Sequence, residues 1–162
     1  MRVLITAASK HGSTGEIAGA IAEVLGGRGL ETVVTPPEKV DDVAAFDAAV
    51  LGSAVYAGRW MKPARELVER AADDLAARPV WLFSSGPIGE PPKPEEDPVD
   101  VAEIVESTSA RDHRVFAGRL ERSRLGFGER AVVAALRAPD GDFRDWDEIR
   151  GWATAIADEL TS

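Results

Sequence analysis

Cysteine is absent from the chain. Its absence removes disulfides, a thiolate nucleophile, an iron–sulfur cluster and any cysteine zinc site, while His11 and His113, the two histidines, are too widely separated to suggest a metal cage. No metal is expected. Long apolar runs are also missing: none approaches a membrane span, and Met1-Arg2 passes straight into Val3-Leu4-Ile5-Thr6 without a signal-like apolar core or cleavage site. A soluble cytoplasmic protein without a transmembrane segment is expected. Positive charge is scarce as well. With 19 Lys and Arg against 28 Asp and Glu, the net charge is −9, which argues against general nucleic-acid binding, because phosphate-rich partners need a local basic excess.

What is present suits one domain spanning residues 1–162, large enough to bury a core without staples. The charge is unevenly spread. Glu90 to Glu106 holds seven acidic residues and one lysine, whereas Arg111 to Arg137 holds seven arginines against Asp112, Glu121 and Glu129. Such runs are usually solvated faces; the sharper alternative is a pair of docking surfaces of opposite sign.

Val3-Leu4-Ile5 is a short apolar run that suits a strand covered on both faces. Ile17, Ile21, Val24 and Leu25 follow at helical spacing until Gly26-Gly27-Arg28-Gly29 stops the pattern. Glu31 to Thr35 reads as a β-branched strand closed by Pro36-Pro37, and the stretch from Asp47 to Val55 as a third, buried strand. A helix from Lys62 presents Ala64, Leu67, Val68, Ala71 and Leu75 on one face, and Val80 to Gly86 supplies a fourth strand. Gly86 to Pro98 is a proline-rich acidic loop, after which Val101, Ile104 and Val105 suggest a helix and Arg114 to Leu120 a fifth strand. Trp146, Ile149, Ala153, Ile156 and Leu160 mark the closing helix, with Asp145 and Glu148 as a capping-box variant. Five strands alternating with helices predict a doubly wound α/β fold: a five-stranded parallel sheet, order 2-1-3-4-5, with helices on both faces. In that order a crevice opens at the carboxyl ends of strands one and three, and three loops should line it: Thr6 to Thr14, Gly52 to Trp60 and Ser84 to Gly89.

The first loop joins the hydroxyls of Ser9, Ser13 and Thr14 to the flexible Gly12 and the charge-bearing Lys10 and His11, all at a helix start. Free backbone N–H groups and the helix dipole make such a place an anion site. Ser13 and Glu16 alone would also form an S-x-x-E capping box that needs no ligand, although that leaves Ser9, Lys10 and Thr14 without a reason. Neither the Walker A spacing nor the G-x-G-x-x-G fingerprint is present, which disfavours ATP and NAD.

Ser9-Lys10-His11-Gly12-Ser13-Thr14 resembles the phosphate loop of flavodoxins, Ser/Thr-x-Thr-Gly-x-Thr, in which hydroxyls and amides hold the FMN phosphate. Lys10 and His11 depart from the commoner hydroxyl residues in the manner of the menaquinone-dependent protoporphyrinogen dehydrogenase branch of the family. The resemblance implies FMN as cofactor and extends to the other loops. Tyr56 and Trp60, approached through Ala54 and Val55, stand where the family sets a ring against the isoalloxazine, and Ala57-Gly58 would present backbone groups to flavin N5. Ser85, Gly86 and Gly89 would form the second wall, with the amides of Ser85 and Gly86 at the pyrimidine edge. Ordinary half-buried aromatics and a plain Gly-Pro turn are the competing readings. Phe116 to Leu120 and the stretch from Asp142 to Ala153 are similar to carboxyl-terminal signatures of the same branch, and an extra segment, about 121–141, lies between them. The resemblance implies that this insert flanks the flavin; on its own residues, the arginines could meet porphyrin carboxylates or an anionic membrane surface and the apolar side a quinone, with a helix packed on the domain and solvated arginines as the plainer alternative.

An FMN-binding redox protein is therefore expected, with the ring carrying the electrons and no side chain assigned as catalytic, since neither a Ser-His-Asp set nor a carboxylate pair is visible. Three functions compete. They are a quinone-linked dehydrogenase acting on protoporphyrinogen IX, a one-electron shuttle docking a redox partner protein through the acidic stretch, and a flavin-free α/β signalling module. The last is disfavoured because Thr6 to Ser9 and Gly52 to Ala54 carry no carboxylate for a receiver-type acidic cluster.

Overall fold

A computed structural model describes residues 1–9, 12–56, 59–85, 101–116, 119–120, 141–142 and 145–161. Five parallel strands build its main sheet: β1 (Arg2–Ala8), β2 (Glu31–Val34), β3 (Ala48–Tyr56), β5 (Val80–Ser85) and β6 (Asp112–Phe116), in the order β2-β1-β3-β5-β6. A two-residue strand, β4 (Arg59–Trp60), folds back antiparallel on β3, pairing Val55 with Trp60 and Tyr56 with Arg59. Leaving that hairpin aside, the observed order is the expected 2-1-3-4-5.

The strands are buried on both faces because alternate side chains enter different cores. Val3 and Ile5, Ala48 and Val50, and Trp81 and Phe83 face one core with α1 (Ser13–Gly27) and α4 (Trp146–Thr161). Leu4 and Ala8, Ala49 and Leu51, and Val80 and Leu82 face the other, with α2 (Lys62–Ala76) and α3 (Val101–Thr108). The helices thus cover both faces. The glycine-rich stop after α1 closes as a reverse turn: Gly29 takes φ 87°, and Leu30 N donates to Leu25 O at 3.3 Å. At the other end of the chain, Glu148 N donates to Asp145 Oδ1 at 3.0 Å, so Asp145 caps α4 as its sequence suggests.

Two expectations need correction. The fifth strand runs from Asp112 to Phe116, whereas Arg119–Leu120 form a separate strand, β7, antiparallel to β8 (Gly141–Asp142). Its polar opening hides it, yet each residue there has a partner: Trp81 pairs with Asp112 and Leu82 with His113, while Asp112 Oδ2 accepts Trp152 Nε1 at 3.0 Å. Secondly, β1 continues past the Val3–Ile5 run to Ala8, inside the first expected loop, while β3 passes Val55 by one residue and β5 ends at Ser85, within the expected strand. The sequence between β2 and β3 also forms two short 3-10 turns, Pro37–Lys39 and Val43–Ala45. Arg70 holds the first through Pro37 O at 2.7 Å, and Arg78 holds the second through Val43 O at 2.9 Å. Among the described residues no helix is long and apolar enough to cross a membrane.

Candidate FMN site

The carboxyl ends of β1, β3 and β5 are level: Ala8 pairs with Ser53, and Ala54 with Ser85. Because β1 leads outward to β2 while β3 begins the other half of the sheet, this edge is where a doubly wound fold opens its binding crevice. The anion loop bridges β1 to α1. Gly12 sits at the N-cap with φ 87° and makes no side-chain cap; its carbonyl accepts Glu16 N at 3.0 Å, opening the helical ladder. The amides of Ser13, Thr14 and Gly15 therefore precede the first intrahelical bond and remain available to an anion.

The S-x-x-E box is not formed in the expected register. Gly12 rather than Ser13 is the N-cap, so Glu16 falls one position beyond where a reciprocal bond is made. Ser9 is instead employed within the loop, where its Oγ accepts Gly12 N at 2.9 Å and braces the turn.

Among the described residues, three buried hydroxyls have no hydrogen-bond partner: Thr14 Oγ1 at the start of α1, Ser85 Oγ at the end of β5, and Thr6 Oγ1 on β1. Thr14 and Thr6 are 1% exposed and Ser85 is fully buried. Orphaned buried hydroxyls cost roughly 1–3 kcal/mol each, so their presence calls for a partner that the described residues do not supply. Thr14 beside the free amides of α1 fits a phosphate, and Ser85 beside Ala54 fits a polar ring edge. The residues present suit FMN. Thr6 falls on the Leu4–Ala8 face, away from the α1 core, and is not explained by the same ligand.

Ala54 and Val55 are half-buried in β3 and lead to the backbone of Tyr56 at the hairpin. Trp60, expected as a ring beside the flavin, is placed otherwise: it is 1% exposed, packed into the α2 core, and its Nε1 donates to Ser84 Oγ at 2.7 Å. Its register explains this, because β4 turns Trp60 inward and leaves Arg59 exposed. Lys10, His11, Ala57, Gly58, Gly86 and Gly89, the side chains of Ser13 and Tyr56, the proline-rich loop and the arginine-rich insert lie outside the described residues. Sequence reasoning missed Ser53 and Ser84. Both are fully buried and register partners, and the one available signal was a hydroxyl closing each of two apolar strand patterns.

A parallel sheet of this order, with hydroxyls and helix amides at the carboxyl ends of β1 and β5, defines a doubly wound α/β protein with an anion site at its switch point. The comparisons give it a family. The model of the flavodoxin domain matches residues 4–147, and the chain belongs to that family, whose cofactor, FMN, it binds. It is 22% identical to the protoporphyrinogen IX dehydrogenase [quinone] of Escherichia coli (strain K12), over 97% of this chain and 95% of that one. An archaeal flavodoxin structure superposes with a TM-score of 0.66 at 16% identity, covering 100% of both chains. A Streptococcus pneumoniae TIGR4 flavodoxin superposes at 0.62 and 21% identity, covering 99% of this chain and 98% of the other. These two likenesses speak for the fold.

Proposed function

We propose that this flavodoxin-family redox protein is a dehydrogenase that oxidises protoporphyrinogen IX and passes the electrons to a quinone. The reading is supported by the end-to-end similarity to the Escherichia coli enzyme, together with the anion loop variant Lys10-His11. Each turnover removes an electron pair and two protons from the porphyrinogen macrocycle and places them on the quinone as quinol. FMN supplies the two-electron chemistry when bound. The chain's own residues supply geometry. The amides of Ser13 to Gly15 and the Thr14 hydroxyl would hold the phosphate, Ser85 would offer a hydroxyl to the ring edge, and Tyr56, Ala57 and Gly58 would contribute further ring contacts. The insert from 121 to 141, with Arg122 and Arg124, meets the porphyrin carboxylates, and the protein works as a single domain in the cytoplasm, touching the inner membrane surface to reach its quinone.

Anaerobic mixing of protoporphyrinogen with the FMN-loaded protein and a menaquinone analogue, followed by porphyrin fluorescence, tests this. Porphyrin should form, stop when FMN is stripped, and return when FMN is restored. A protein that takes up FMN and exchanges single electrons with a basic redox partner, but forms no porphyrin with any quinone, is a shuttle instead.

A further inference from the structure

The geometry points to Ser84 and His113 as positioning residues for the flavin ring, acting through Trp60 and the β3–β4 hairpin. This rests on the assignment of FMN to the crevice. The hairpin is short, since β4 contributes only Arg59 and Trp60, and a ribbon of that size has little stability of its own. It is held by what lies beneath it. Ser53 Oγ accepts Met61 N at 2.8 Å and donates to Ala54 O at 2.7 Å, Arg65 Nε donates to Trp60 O at 3.0 Å, and Trp60 Nε1 donates to Ser84 Oγ at 2.7 Å.

Ser84 is the hinge of this set because its hydroxyl meets a second partner, His113 Nε2, at 2.7 Å. An indole nitrogen only donates, so the Ser84 oxygen must accept from Trp60. The hydroxyl hydrogen and the second lone pair of Ser84 then face His113 Nε2, so the two are hydrogen-bonded in either histidine tautomer. The chain Trp60–Ser84–His113 crosses from β4 through β5 to β6, inside the apolar layer shared with α2. Ser84 is fully buried and Trp60 is 1% exposed, so the bond between them has no water to replace it, whereas His113 is half-buried. A bulky indole anchored at its nitrogen fixes the rotation of Trp60 and, through the paired Val55, the end of β3 at Tyr56. On the proposed reading that strand end faces the ring, whereas the phosphate goes to the start of α1. Loosening Ser84 should therefore disturb the ring and spare the phosphate.

The test compares Ser84→Ala, His113→Leu and His113→Gln in the full chain, measuring affinities for FMN and riboflavin and the midpoint potential of bound FMN. Ser84→Ala and His113→Leu should weaken FMN and riboflavin by the same factor, about five- to tenfold for one lost hydrogen bond, and shift the potential. His113→Gln, which keeps an acceptor, should restore most of both. If Ser84→Ala fails to fold, the histidine pair carries the same test. Variants with wild-type ring affinity and potential, whatever their thermal stability, overturn the inference. A wild-type protein that does not take up FMN removes the cofactor assignment itself, which is a separate failure.

Discussion

The ring of Phe83 lies directly across Gly52, its register partner on the neighbouring strand: a Cβ on Gly52 would stand 2.1 Å from Cζ and 2.3 Å from Cε1. Glycine is there because a ring occupies the space of a side chain. From that seat Phe83 reaches Phe116 at 6.0 Å and Trp152 at 6.1 Å between ring centroids, so the close approach fastens the centre of the sheet to α4. Gly52→Ala should cost about 1–3 kcal/mol or more by overpacking. Adding Phe83→Leu should recover part of that loss, giving a double-mutant coupling in urea denaturation. Strictly additive costs would show that the ring is not what excludes the methyl group.

Thr14→Val separates ligand binding from folding. The substitution keeps the shape and removes a hydroxyl that has no partner among the described residues, so the apo-protein should be as stable as the wild type or slightly more so. FMN affinity should fall about ten- to hundredfold, the worth of one hydrogen bond to a charged oxygen, while riboflavin affinity stays constant. Fluorescence titration with both flavins checks this. Equal loss for the two would take Thr14 off the phosphate.

Thr6→Val is the control. Thr6 has the same orphaned hydroxyl but shares a face with Leu4 and Ala8 in the α2 core, where no flavin group is assigned. Chemical denaturation of the apo-protein should show a gain of about 1 kcal/mol, with the affinities for FMN and riboflavin both unchanged. A fall in FMN affinity would extend the site beneath β1.

Much of the fold was legible because the pattern that made it is local. Val3-Leu4-Ile5 and Val80-Trp81-Leu82-Phe83 are continuous apolar runs, as strands buried on both faces must be, and the helices of α1, α2 and α4 show their core faces at the spacing expected. β6 was misplaced for the opposite reason. Asp112 and His113 look like a loop until Trp152 and Ser84, 40 and 29 residues away, supply partners for them. The site divided in the same way. Ser9, Gly12 and Thr14 come from one loop and could be found together, whereas the burial of Trp60 depends on Ser84, 24 residues further on, and no spacing rule connects the two.

Gly12 provides the remaining prediction, because its requirement is conformational rather than steric. Its φ of 87° is a backbone conformation that side chains disfavour, yet a Cβ there would meet nothing within 4 Å. Gly12→Ala should therefore cost about 1–2 kcal/mol from strain alone. Gly12→Asn should cost less, because asparagine enters the left-handed region more readily. The two variants also bear on the anion site. If the turn closed by Ser9 Oγ and Gly12 N is what presents the α1 amides to the phosphate, FMN affinity should follow the same ranking, wild type above Asn above Ala. Riboflavin affinity should stay level across the three, since the ring is held by other strands. An alanine variant that loses stability but binds FMN as the wild type does would show that the amides are set by the helix alone, and that the left-handed turn serves the fold rather than the cofactor.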